Sequence, residues 1–112
     1  MSKVRKFHFL CGAKKIGTFC IFGDELQLRL DDELDRNDVP MMFWPEYQRG
    51  IRVFGDNDCR EFIDERMIPP GRQNIGEILK RMGLNEYNQL AMFLYFNGRA
   101  VQDNFSIKEI SN

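Results

Sequence analysis

The spacing of apolar residues changes near the middle of this chain, and that change limits the fold more than any other feature. Between Val4 and Leu30 three short runs rich in Phe, Ile and Leu have the alternating pattern, and from Asp58 apolar residues recur every third or fourth position. A period of two lays one face of a strand on a core, and a period near 3.6 does the same for a helix.

Val4–Leu10, Ile16–Phe22 and Leu26–Leu30 are the three strand-like runs. In the third, Leu26, Leu28 and Leu30 share one face while Gln27 and Arg29 take the other. Gly12 in the first gap and Gly23-Asp24 in the second are turn signals, so an antiparallel meander is expected. Val39-Pro40-Met41-Met42-Phe43-Trp44-Pro45 is apolar and bracketed by prolines. Proline lacks the amide donor of a sheet ladder, so this run reads as an edge strand or an extended cover for the core. Ile51–Phe54 can add another short strand.

From Asp58 the helical face is Cys59, Phe62, Ile63 and Arg66, with Asp56, Asn57 or Asp58 as cap. Pro69-Pro70 stops that helix. Ile75, Ile78, Leu79 and Met82 define a second, closed by Gly83 with Leu84 as its hydrophobic contact. Asn85 is the expected cap of a third, whose stripe is Tyr87, Leu90, Ala91 and Leu94 and which ends at Asn97-Gly98. Phe105 and Ile107 straddle Ser106, the mark of a short strand or tail. Strands followed by helices indicate an α+β domain, with a meander of three to five strands and two or three helices on one face. One domain over residues 1–112 is expected, mainly strands to 56 and mainly helices from 57, since domains run to roughly 100–150 residues.

Sixteen basic and seventeen acidic residues leave a net charge of −1, split evenly between the halves. That balance argues against a nucleic-acid binder driven by net charge, and leaves only a local basic face open. Ten phenylalanines suit the filling of a small core. Cys11, Cys20 and Cys59 are odd in number and have no CxxC spacing, as expected of reduced thiols in a cytoplasmic protein. No run resembles a signal peptide or approaches the ~20 apolar residues of a membrane span.

Chemistry is hard to place. The lone His8 sits in the first strand opposite the Phe7 and Phe9 face, and with three scattered cysteines it makes no four-ligand zinc set. Phosphate-binding glycine motifs and a G-x-S-x-G elbow are absent, so neither enzyme activity nor a cofactor or metal is expected. Asp31, Asp32, Glu33, Asp35 and Asp38 lack the order of a calcium loop and read as a solvated turn.

Two constellations are candidates for contact. Met41, Met42, Phe43, Trp44 and Tyr47 concentrate residue types favoured at interface cores, and fill the core or form a partner-binding edge. An edge strand there would accept a partner strand or a second copy of the chain. Arg66, Arg72 and Arg99 fall near Asp103, which either clasps one arginine to pin the tail or leaves the arginines to meet an acidic partner or anion. Lys80 and Arg81 can extend such a face.

The order of these residues resembles a known family. Arg66-Met67-Ile68-Pro69-Pro70-Gly71-Arg72, then Ile75, Leu79, Gly83-Leu84, Asn97-Gly98 and Asp103-Asn104-Phe105, is similar to short HipA-like proteins of bacteria and their mobile elements. Gly12 to Phe19, with Ile16-Gly17-Thr18-Phe19, resembles the N-terminal subdomain of HipA-type toxin kinases. Together these stretches cover about two-thirds of the chain. Such kinases bind ATP and phosphorylate a protein through a large C-terminal region absent here, so the resemblance carries no catalytic role to this chain. It implies a partner or antitoxin-like regulator of a kinase, from which this chain departs by its helices and tail. The expected function is a small non-enzymatic protein-binding module. The alternatives are a phage- or element-encoded inhibitor of a nucleic-acid enzyme, its acidic run imitating phosphates, and direct nucleic-acid binding through an arginine face.

Overall fold

Three hairpin-linked strands begin the fold: β1 (Val4–Cys11), β2 (Lys14–Phe22) and β3 (Glu25–Leu30). The computed structural model describes residues 4–66, 75–84, 88–100 and 103–110. Gly12 and Gly23 turn the two hairpins in the left-handed region, with φ of 62° at each, where glycine carries no side-chain penalty. β4 (Val53–Phe54) adds to β3, and β5 (Phe105–Glu109) returns to β1, completing an antiparallel sheet of order β4-β3-β2-β1-β5. α2 (Asp56–Arg66), α3 (Ile75–Arg81) and α4 (Gln89–Tyr95) follow the meander. The α+β class is as expected, and no helix among the described residues is long and apolar enough to cross a membrane.

Alternation decides which sheet face is covered. Phe7, Phe9, Phe19, Ile21, Leu26, Leu28, Phe54 and Ile107 point to the helices and are buried, while Lys6, Arg29, Val53 and Lys108 on the opposite face are exposed. Eight phenylalanines join into one network under the helices. Phe62 of α2 meets Phe9, Phe43 and Phe93 at centroid distances of 5.7, 5.8 and 6.4 Å. Phe54, Phe105, Phe19 and Phe7 extend it on either side. Burying each ring is worth about 1.5–3 kcal/mol, and each aromatic pair adds about 0.5–1.5 kcal/mol.

A bulge between Phe9 and Leu10 pairing disturbs the β1–β2 register and brings both Ile16 and Gly17 into the interior. A side chain at Gly17 forces the backbone to shift: a Cβ would lie 2.3 Å from the Arg29 carbonyl oxygen of the neighbouring strand.

Val39–Pro45 is neither an edge strand nor an extended cover. Met41–Phe43 form a 3-10 turn that runs into α1 (Trp44–Gln48), a helix the sequence pattern did not foretell. Pro45 lies in the first turn of α1, where a missing N–H has no helical partner to lose. The cap of α4 is Asn88, whose side chain accepts from the Ala91 amide at 3.0 Å; the expected cap Asn85 and Tyr87 lie outside the described residues. Met92 and Phe93, rather than the stripe of Leu90, Ala91 and Leu94, are the fully buried residues of α4. Phe93 pulls the helix round because its ring fits between Phe19 and Phe62.

The helix ends close as local chemistry requires. Gly83 (φ 76°) and Asn97 (φ 56°) take the left-handed position after α3 and α4. Leu84 and Gly98 then donate back to the carbonyls of Leu79 and Phe93 at 2.9 and 2.8 Å, the six-to-one bond of a Schellman cap.

Asp56 ties α2 to the free side of β3. Its Oδ1 accepts the Leu26 amide at 2.9 Å and its Oδ2 accepts Arg60 Nε at 2.8 Å. The bond from Arg60, with that from Leu26 adding to it, holds the Asp56 carboxyl below its ordinary value of 3.8. Arg5 does the same for Glu109. A carboxylate depressed in the folded state contributes stability that is full above the unfolded value and lost as pH falls through the folded one. The unfolding midpoint therefore drops between about pH 5 and about pH 3, and Asp56→Asn flattens that drop; a thermal melt series with equal acid sensitivity in both proteins would contradict it. Gly17→Ala lowers stability by about 1–3 kcal/mol, the usual cost of forcing atoms into a packed site, read from urea midpoints.

Candidate functional site

Arg66 ends α2 with a guanidinium that is only 3% exposed. It forks onto Asp103, with Nη1 to Oδ2 at 2.6 Å and Nη2 to Oδ1 at 2.9 Å. Nε and Nη2 also donate to the Gly98 carbonyl, and Nη2 to that of Phe105. The guanidinium carbon lies 4.7 Å over the Phe62 ring. Asp103 Oδ1 in turn accepts the Phe105 amide at 3.0 Å, and Asn97 O accepts that of Ile107 at 2.8 Å. Phe105 and Ile107 present these groups on the side of β5 away from β1, so the clasp seals the sheet edge as well as the tail.

Gly98 is part of this device. Its φ is 71°, and a Cβ there would come within 3.1 Å of Phe93 Cζ and 3.2 Å of Ile107. Close approach of the turn to β5 places its carbonyl under Arg66.

Above the clasp is a hollow of about 170 Å³ between Pro40, Met41 and Met42 on one side and Phe62, Arg66 and Phe105 on the other. It brings together two groups that the sequence presented separately, Met41–Met42 and Arg66. Met41 is 71% exposed, the highest value among the exposed large apolar residues described. Met42 is half-buried against the core.

The other residues of the Met41–Tyr47 cluster face elsewhere. Phe43 is buried, its ring centroid 4.4 Å from that of Phe54 at a tilt of 34°, and is a core residue. Trp44 donates Nε1–H to Val39 O at 2.8 Å and lies under Arg36. Tyr47 donates to Asp31 O at 2.7 Å and accepts the Leu34 amide at 3.0 Å, with Arg52 stacked 3.7 Å over its ring. The polar atoms of both aromatics thus hold the 31–39 loop in place.

Three of that loop's five carboxylates are already paired. Asp31 meets Lys15, Asp32 meets Arg52, and Asp38 meets Lys14.

The arginine group divides as well. Arg66 is nearly buried and its guanidinium is already taken up by Asp103 and two carbonyls, so it is poorly placed to meet an outside anion. Arg99 is exposed and lines a polar hollow of about 370 Å³ with Gly12, Asp103 and Asn104. Arg72 lies outside the described residues.

Thiol chemistry finds no support in the geometry of Cys59. Burial pushes this thiol up to about 12, and Sγ donates to Phe54 O at 3.7 Å. No cluster of three His, Cys, Asp or Glu side chains suited to a metal occurs among the described residues.

Asp103→Ala strands the Arg66 charge in its pocket and costs about 3 kcal/mol. The double variant Arg66→Met, Asp103→Ala costs less than the sum of its single changes, because no buried charge remains. A urea-denaturation double-mutant cycle reads that coupling.

No protein-family model matches the chain, and no curated protein matches it.

Proposed function

We propose that the chain is a small protein-binding module that acts without catalysis, and that the Met41–Met42 hollow is its contact surface. The observation that carries this reading is the exposure of Met41 beside a concave site floored by the internally paired Arg66 and Asp103, with the Glu65 carboxylate at its edge. A methionine side chain adapts its shape to a partner. Burying it stabilises a complex by about 25 cal/mol per Å² of apolar surface. The Arg66–Asp103 pair beneath adds rigidity without demanding a charged ligand, because its hydrogen bonds are internal. An apolar side chain of a partner protein is the occupant this arrangement suits.

The resemblance to HipA-like proteins supplies the class of partner to test, a HipA-type kinase that lacks its own N-terminal subdomain. Calorimetry with the purified kinase should give a defined affinity that Met41→Asp weakens by about tenfold or more. Met41 makes little of the core, so the same variant should melt as the native chain does. Equal binding by both proteins, or no binding by either, overturns this reading.

A further inference from the structure

We propose that the open face of the sheet, on the side away from the Met41 hollow, binds single-stranded nucleic acid through Lys6, Arg29 and Lys108. Register places Lys108, His8, Thr18 and Arg29 side by side across β5, β1, β2 and β3. Three strand spacings separate the ends of that row, roughly 14 Å. Lys6, Cys20 and Gln27 form the next row. None of Lys6, Arg29 and Lys108 forms an ion pair among the described residues, whereas Arg5, Lys14, Lys15, Arg49, Arg52, Arg60 and Arg66 each do. Within the strands, parity gives this face one carboxylate, Glu25, opposite Phe22, and Asp31 just past β3 is paired with Lys15 at the other end. The net charge of −1 is therefore an average over a cationic sheet face and a more acidic remainder.

Charge and shape select the occupant. A second copy packed face to face would oppose like charges, so self-association through this surface is disfavoured. A five-stranded sheet spans roughly 19 Å, too wide for the ~12 Å major groove of a duplex. A flexible phosphodiester chain can follow the row of cations instead. Phe22 is 41% exposed and pairs across the strands with Val4, 43% exposed, which gives an unstacked base an apolar platform beside the cations.

The test is fluorescence anisotropy of the full chain with a fluorescein-labelled oligouridylate of about 15 nucleotides. Binding should weaken with salt at a log–log slope of about −2, as three phosphate contacts require. Lys6→Glu, Arg29→Glu, Lys108→Glu should weaken it by about tenfold or more. The milder Gln triple should act in the same direction while melting like the native chain. Phe22→Ala should weaken it by about tenfold. Lys80→Glu, Arg81→Glu on α3 and Met41→Asp should leave it unchanged, which separates this surface from both the other cations and the protein-binding hollow. Absence of binding, equal loss from the α3 variant, or equal affinity for duplex RNA overturns the proposal. So does displacement by poly-L-glutamate with no effect of Phe22→Ala, which would mark the surface as one for an acidic protein.

Discussion

Phe62 is the contact on which the rest of the fold depends. From α2 it touches Phe9 of the sheet, Phe43 of the 3-10 turn and Phe93 of α4, and its ring lies beneath the Arg66 guanidinium. One side chain therefore couples the sheet, the segment before α1, the last helix and the clasp. Apolar burial there provides most of the driving force, while quadrupolar ring geometry sets how the helices are seated. Arg66 can be kept nearly dry because its hydrogen bonds go to one carboxylate and two carbonyls, leaving its charge solvated by protein.

Polar side chains in this chain close edges that the backbone leaves open. Asp56 takes the Leu26 amide on the outer side of β3, and Asp103 takes that of Phe105 on the outer side of β5. Tyr47 and Trp44 satisfy loop groups between residues 31 and 39. Residues that by type suggest an interface or an anion site are thus mostly engaged internally. Among the described residues, Met41 on the helical side, Arg99, and the cations of the open sheet face that form no ion pair remain available. Met41 and those sheet-face cations lie on opposite sides of the sheet, so occupation of one surface leaves the other accessible.

Strand alternation and helix periodicity made the meander, α2 and α3 readable, since each pattern reports a local face and needs no distant partner. Gly83 was readable for the same reason, because a left-handed cap is a local requirement. The Val39–Pro45 stretch was misread because proline fits both a sheet edge and the first turn of a helix. Local sequence could not choose between them; packing of Phe43 against Phe54 favoured the helical turn. Asn85 and Asn88 are equally good capping residues, so local sequence does not single out the cap that Asn88 makes for α4.

The sequence by itself determined the α+β class and the run of alternating strands that precedes the main helices. Those properties follow from periodicity and from local capping. Only the tertiary structure decided which arginine is buried against Asp103, that Phe43 is core while Met41 is exposed, and that three cations without an ion pair among the described residues share one sheet face. Each depends on strand register and on packing between residues dozens of positions apart. A change of one position in register turns every side chain of a strand to the opposite face. Composition, which sums over both faces, carries no record of that choice.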